Sequence, residues 1–430
     1  MIKIKQKLFR IAEIIHLQIF RHEMGEEMRK FLNHLTWSFL GGTMAATILF
    51  ILTILAGRWL GPIEYGKYSL IIAITSIFVI PMTMGIDTAL VYFIAQNKSY
   101  LVRKEIVASS LWMVGCFILL ISLSVFLLKS HFVNLFGTQE KIIKIAIIFS
   151  ILLSLRNIFD AILKGFYYFK FQSLVKIIEA LIIIGAFFSF IKKFNWFGFE
   201  SYVGAILMGY SFTIFSIFWV IKKMIGFNIK YTGKIISYGV YAITGSFLGI
   251  MTMSFDKILI NKYLGAEQLG IYNAYLTISI LLVCQFVAIF INVFFPYLAS
   301  IEDSTLIFKK INKLIKIFFI PGFLILGCVI SGAIMLFGKE YKLDWLLVGE
   351  FSFLGIMTMY FTVLWWLIAS RGIKGIRFTS FNGIIAGVIF MGLMFFFRET
   401  LNLYCVVLFL IISSFYTIII ALAVGQKMAN

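Results

Sequence analysis

The sequence predicts an all-α polytopic membrane protein, with about twelve transmembrane helices in two parallel-repeat six-helix bundles around a central cavity. Three observations predict it. Of 430 residues, 61% are hydrophobic and 13% charged, whereas ordinary globular chains carry roughly 25% charged residues; mean hydropathy is +1.01. Twelve apolar stretches have the length, about 20 residues, that crosses a hydrocarbon core. Finally, the loop after the first stretch reappears 204 residues later.

The N-terminal tail, residues 1–34, places Leu8, Ala12, Ile15 and Ile19 at helical spacing, with Lys5, Lys7, Arg10 and Arg21 among its polar residues. A helix lying on the inner leaflet fits, because apolar side chains enter the interface while Lys and Arg meet lipid phosphates. The alternative is a solvated tail that only enforces topology. Charges and other polar residues interrupt every apolar run in the first 30 residues, so no cleavable signal peptide is expected.

The N-terminal bundle, 35–221, contains spans near 35–57, 69–95, 106–128, 142–163, 174–191 and 197–221. A basic cytoplasmic linker, 222–234, leads to the C-terminal bundle, 235–424. Its spans lie near 235–255, 270–299, 317–337, 346–369, 378–397 and 402–424, followed by a short tail, 425–430. Span 270–299 is long enough to tilt, or to kink at Pro296. Six is an even number, so both bundles enter the membrane in one orientation. The repeat is therefore expected to be parallel, about an axis along the membrane normal.

The net charge of +19 would suggest nucleic acid in a soluble chain. Here Lys and Arg number 25 on the side of both termini and 12 on the other, with Arg156 inside a span. That bias follows the positive-inside rule and puts both termini in the cytoplasm. No nucleic-acid partner is expected. Cys116, Cys284, Cys328 and Cys405 all fall within spans without CxxC spacing, which argues against a disulfide framework or zinc site. His16, His22, His34 and His131 lie outside membrane interiors, removing imidazole ligands from an intramembrane metal site. Neither a metal nor a cofactor is expected.

The repeated loop reads Leu60-Gly61-Pro62-Ile63-Glu64-Tyr65-Gly66-Lys67-Tyr68 and then Leu264-Gly265-Ala266-Glu267-Gln268-Leu269-Gly270-Ile271-Tyr272. Leu, both Gly and the final Tyr coincide, and Arg58 falls on Lys262. Gly61 to Lys67 spells GxxxxGK, but Tyr68 stands where a phosphate-cradling loop needs Ser or Thr, and the strand–loop–helix setting is missing. A turn between helices is the better reading, since Gly61, Gly66 and Pro62 suit a chain reversal. Many secondary transporters are two related bundles around a central site, so the repeat itself points to transport.

The segments RWLGPIEYGKYSL (Arg58–Leu70) and DKILINKYLGAEQLGIY (Asp256–Tyr272), with the Phe295-Pro296 neighbourhood, resemble the polysaccharide-export flippases of the O-antigen and capsule type. These belong to the multidrug/oligosaccharidyl-lipid/polysaccharide exporter superfamily, which also holds lipid II flippases and multidrug extruders. The resemblance implies translocation of a polyprenyl-diphosphate-linked oligosaccharide from the cytoplasmic to the outer leaflet of the inner (plasma) membrane by alternating access. It also implies a cationic central cavity. The partners expected are the lipid-linked oligosaccharide, membrane lipids, Na⁺ or H⁺ as coupling ion, and a glycan polymerase.

Charged residues within spans are costly, roughly 2.5–3.5 kcal/mol each at a helix centre on insertion scales, so they mark candidate sites. Arg156, Asp160 and Lys164 follow i, i+4, i+8 along one face of the fourth span, beside Asn157. They could line an aqueous cavity, where the planar Arg fork suits phosphate; alternatively Arg156 and Asp160 neutralise one another as an i, i+4 pair inside the bundle. Arg58 and Lys262 stand at the outer mouth, as headgroup contacts or, with Trp59 and Tyr263, as interfacial anchors. The substrate-binding candidates are Arg58, Arg156, Asn157, Lys257 and Lys262; the ion-coupling candidates are Asp87, Asp160 and Asp256. Glu179 and Glu350 are further intramembrane acids, and Lys164, Lys257 and Glu350 lie near enough to span ends to reach water.

Two rival functions stand beside this one. A cation-coupled multidrug extruder of the same architecture would favour a more acidic cavity. A membrane glycan polymerase or ligase would need a sizeable outer loop bearing catalytic groups, whereas every outer loop is short and His131 is the only outer histidine. The chain is therefore not expected to be an enzyme.

Overall fold

A computed structural model describes residues 26–281, 283, 287, 305–369 and 373–427. Its principal elements are the helices α1 (Glu26–Thr83), α2 (Ile86–Gln96), α3 (Tyr100–Leu127), α4 (Lys129–Phe136), α5 (Glu140–Gly165), α6 (Phe169–Phe194), α7 (Phe199–Ile221), α8 (Thr232–Leu276), α9 (Thr305–Phe337), α10 (Trp345–Ala369), α11 (Ile373–Phe396) and α12 (Leu403–Lys427). No strand occurs among the described residues. Helix is what an apolar chain must adopt where lipid cannot satisfy its N–H and C=O groups. Apolar side chains such as Leu119, Phe126, Phe215, Ile320 and Phe396 are correspondingly left on the outer surface.

Nine helices among the described residues are long and apolar enough to cross a membrane. Expected spans and helices correspond most closely in α3, α5, α6, α7, α10, α11 and α12. The first two expected spans share α1, and α8 contains the seventh and the start of the eighth. Span 270–299 continues in a π-helical turn, Thr277–Leu281, and beyond 281 lies outside the described residues apart from 283 and 287, as do the Pro296 kink, the tail helix around Leu8–Ile19, His16 and His22.

Both long helices turn at one residue. Gly61 has φ 71° and ψ 170°, and Gly265 φ 89° and ψ 171°, a region open to little besides glycine. In the first copy the helix resumes at Pro62, where a missing N–H costs nothing and the fixed φ suits the first helical position. The turn is a true reversal. Thr53 Oγ1 lies 3.3 Å from the Tyr202 hydroxyl, and the Tyr68 ring lies 4.5 Å from that of Tyr202. Thr53 and Tyr68 are each about 10–12 Å from the corner along their helix, so they share a neighbour only because the arms lie side by side.

The two corners also touch each other. A β-carbon on Gly66 would stand 1.8 Å from the Ala266 carbonyl oxygen, and one on Gly270 would stand 1.9 Å from that of Pro62. Residues 66 and 270, like 62 and 266, differ by the repeat offset of 204. The contact is thus reciprocal, as a two-fold relation requires.

Three local features differ from expectation. Span 69–95 breaks: α1 ends at Thr83, and Met84 (φ 46°) and Gly85 (φ 69°) take left-handed conformations before α2 begins. Pro81 removes one hydrogen bond from the last turn, and Gly85 abuts the backbone of Gly239, where a β-carbon would lie 2.3 Å from the carbonyl oxygen. The short helix α4 follows α3 directly, in what reads as a loop. Finally, α9 begins at Thr305, well before the expected 317.

Candidate functional site

The fourth expected span, α5, contributes most of the chemistry. Arg156 does not pair with Asp160. Its Nε and Nη2 donate to Glu179 Oε2 and Oε1 at 3.0 and 2.8 Å, a planar fork that matches a carboxylate on α6. The Thr213 hydroxyl of α7 donates to the same carboxylate at 2.5 Å, and the guanidinium sits 4.8 Å from the Tyr210 ring centroid. Three helices therefore share one ion pair. Glu179 is 2% exposed, so it requires that compensation.

Asp160, one turn further along, accepts from Gln172 Nε2 at 2.6 Å and lies 3.3 and 3.5 Å from the ammonium groups of Lys164 and Lys176. It faces a cavity of about 540 Å³ lined by Asp87, Thr88, Val91 and Tyr92 of α2, Asn157, Asp160, Ala161 and Lys164 of α5, and Tyr238 of α8. The cavity lies beside the first two turns of α2 and the C-terminal part of α5. Asp87, in the first turn of α2, is favourably placed in the field of the helix N-terminus. It has no ion pair or hydrogen bond among the described residues. Tyr92 and Tyr238 stack at 4.7 Å and 13°, joining the two halves of the chain at the cavity wall.

The other candidates stand apart from this cavity. Asp256, 2% exposed, accepts from the Tyr272 hydroxyl at 2.7 Å and from the Lys257 amide at 2.6 Å, with the Lys257 ammonium 3.8 Å away. Asp256 and Tyr272 therefore strap together the two arms of the Gly265 corner. Lys262 donates to the Leu135 carbonyl at 3.3 Å, and Asn261 to that of Gly137, also at 3.3 Å, so both hold the C-terminal end of α4. Arg58 is exposed beside Gly338. Trp59 packs on Phe187 and Phe188, whereas Tyr263 is 41% exposed. Lys67 pairs with Glu64 at 2.5 Å, and Glu64 accepts the Phe199 amide at 2.9 Å; the glycine loop is thus a joint between helices. Glu350 keeps one buried carboxylate oxygen without a hydrogen-bond partner among the described residues.

Sequence reasoning omitted Thr88, Tyr92 and Tyr238 from the site, and Gln172 and Lys176 from the surroundings of Asp160. Glu179 could have been paired with Arg156 from sequence, because a lone acid in an apolar span needs a cation. The tyrosines gave no signal among 19 Tyr and 48 Phe. Among the described residues no group of three or more His, Cys, Asp or Glu could hold a metal ion.

The profile of the family described as "Polysaccharide biosynthesis protein" matches residues 31–302. No curated protein matches the sequence. Solved structures share the fold. "Lipid II flippase MurJ, inward closed conformation" aligns with TM-score 0.66 and 17% identity over 91% of this chain and 87% of that one. An inward-facing multidrug resistance MATE family transporter of the MOP superfamily gives 0.64 and 15% over 89% and 94%. A MOP superfamily transporter from Pyrococcus furiosus gives 0.58 and 15% over 92% and 95%.

Proposed function

The chain belongs to the polysaccharide biosynthesis protein family, and on that premise we propose that it is a flippase for polyprenyl-diphosphate-linked oligosaccharide, working from the cytoplasmic to the outer leaflet of the plasma membrane with both termini cytoplasmic. The observation that carries the reading is the polar cavity where α2, α5 and α8 meet, in a chain whose remaining helix surfaces are mostly apolar. A sugar headgroup needs such a polar path, while its lipid tail stays in the bilayer. Rocking of one half against the other would expose the cavity to each side in turn. Arg58 and Lys262, repeat-related cations of the opposite face, take the role of exit contacts. Arg156, forked onto Glu179, positions α5 and thereby Asn157 and Asp160.

A second reading, a cation-coupled extruder of the same superfamily, draws support from the two carboxylates on the cavity wall. Gene deletion separates the two. Lipid-linked glycan held on the cytoplasmic leaflet, released by the wild-type gene, is the expected result. Normal surface glycan with no trapped intermediate and no redundant flippase, together with new drug sensitivity, would replace the flippase by the extruder.

A further inference from the structure

Resting on the flippase reading, we infer that Tyr92 and Tyr238 form a stacking platform for a pyranose ring of the glycan, and that Asn157 and Thr88 read its hydroxyls. Charge does not make the selection. Asp87, Asp160, Lys164 and Lys176 sum to zero at this cavity, so the wall has no net sign with which to sort ligands. What it has is uncommitted hydrogen-bonding capacity. Elsewhere in the spans side-chain hydroxyls are engaged: Thr53 and Ser150 donate to the carbonyls of Leu49 and Ala146, and Thr213 to Glu179. On the cavity wall, the Asn157 amide and the hydroxyls of Thr88, Tyr92 and Tyr238 have no hydrogen-bond partner among the described residues. An amide and three hydroxyls offer both donors and acceptors, and a ligand rich in hydroxyls matches them group for group. Water satisfies the polar groups too, but not the rings beside them.

Those rings are held in a fixed orientation. Tyr92 and Tyr238 stack at 4.7 Å and 13°, and Phe93 meets both edge-on, 5.2 Å from Tyr92 and 5.6 Å from Tyr238. Tyr92 nevertheless stays 44% exposed. The negative face of an aromatic ring attracts polarised C–H bonds, and a pyranose presents C–H bonds on its face and hydroxyls around its rim. A diphosphate has no such face, and an acyclic polyol has no fixed one. The volume of about 540 Å³ falls among small-molecule sites, roughly 300–1,000 Å³. Tyr92 belongs to α2 and Tyr238 to α8, so the platform is complete only while the two halves keep this arrangement. A ring bound on it therefore favours this arrangement over one that parts the tyrosines.

The test is saturation-transfer NMR on the purified full-length protein in nanodiscs, which reads weak binding and identifies the ligand protons that touch the protein. N,N′-diacetylchitobiose and the acyclic polyol sorbitol are the probes; inorganic pyrophosphate and tetraphenylphosphonium are the competitors. Saturation of the disaccharide should concentrate on the C–H face of one ring, sorbitol should bind more weakly, and neither competitor should displace the sugar at equal concentration. Tyr92→Ala and Tyr238→Ala should each weaken the disaccharide by roughly fivefold to tenfold. The double variant should lose less than the two losses combined, as partners in one platform require. Tyr92→Phe should keep the ring-face pattern, and Asn157→Ala should keep it while binding roughly fivefold more weakly. The wild-type pattern carries the test even where an alanine variant fails to fold. No disaccharide signal, saturation spread evenly over the sugar, sorbitol binding as well as the disaccharide, or displacement by either competitor would each overturn the inference. It fails separately from the flippase reading: glycan trapped by deletion without ring-face saturation sinks the inference alone, whereas ring-face saturation without trapping sinks the reading alone.

Discussion

Glu179 shows how a membrane helix tolerates an acid. Its two oxygens receive two guanidinium N–H groups and the Thr213 hydroxyl, so the charge is shared among α5, α6 and α7. Removing one partner of a buried pair strands the other, typically at about 3–5 kcal/mol. Glu179→Ala should therefore lower the unfolding temperature in detergent sharply, with Glu179→Gln in between, since it retains acceptor capacity without the charge. Outside the spans, Asp344 responds to acid. Partial desolvation pushes its carboxyl up, but hydrogen bonds from the Tyr404 hydroxyl and the Leu347 and Leu346 amides outweigh this and leave it below the ordinary carboxylate value. A depressed folded value means stability that is present above the unfolded value, about 3.9, and is lost as pH falls through the folded one. Thermal unfolding followed below pH ~4 should show this decline, and Asp344→Asn should flatten it. At this scale the sequence was only partly legible. It marked Arg156, Asp160, Glu179 and Asp87 as costly residues, yet spacing within one helix suggested Asp160 as the partner of Arg156, and only packing between helices supplies Glu179.

Among elements, the corners at Gly61 and Gly265 were legible because glycine, followed in the first copy by proline, is read directly from the chain. Their conformations differ by only 18° in φ and 1° in ψ. A β-carbon at Gly265 would meet nothing within 4 Å, whereas one at Gly61 would also meet the Glu340 carboxylate. Gly265→Ala thus isolates backbone strain, about 1–3 kcal/mol, and should cost less than Gly61→Ala when both are compared by thermal unfolding. The break at Met84–Gly85 was less legible. Its cause is the opposing backbone of Gly239, 154 positions away in the sequence, which hydropathy does not register. That break nonetheless sets the site, because it starts α2 anew with Asp87 in its first turn. Helix α4 was hidden for a different reason: eight residues are too few to stand out beside a long apolar run.

For the whole molecule, the twelve-span layout was legible in hydropathy and the parallel repeat in four matched residues, whereas the meeting of the two corners was not. On the face opposite the cavity, Gly66 lies against the Ala266 carbonyl and Gly270 against that of Pro62, and the Tyr341 hydroxyl donates to the Gly57 carbonyl at 3.2 Å. Gly66→Ala or Gly270→Ala should wedge this face apart. The check is a cysteine at position 341, 3% exposed as tyrosine, in a background without native cysteines. Maleimide labelling from outside should rise several-fold in either alanine variant, and unchanged labelling would show that the contact does not close the face.

The reciprocal contact also bears on how the two halves could drift apart in sequence. Each glycine rests on a carbonyl oxygen, an atom that every amino acid supplies, so the residue bearing that carbonyl is unconstrained in kind. Pro62 and Ala266 accordingly differ while Gly66 and Gly270 are identical. Duplicated genes forget what a backbone can say for them and retain only the letters for which it has no substitute.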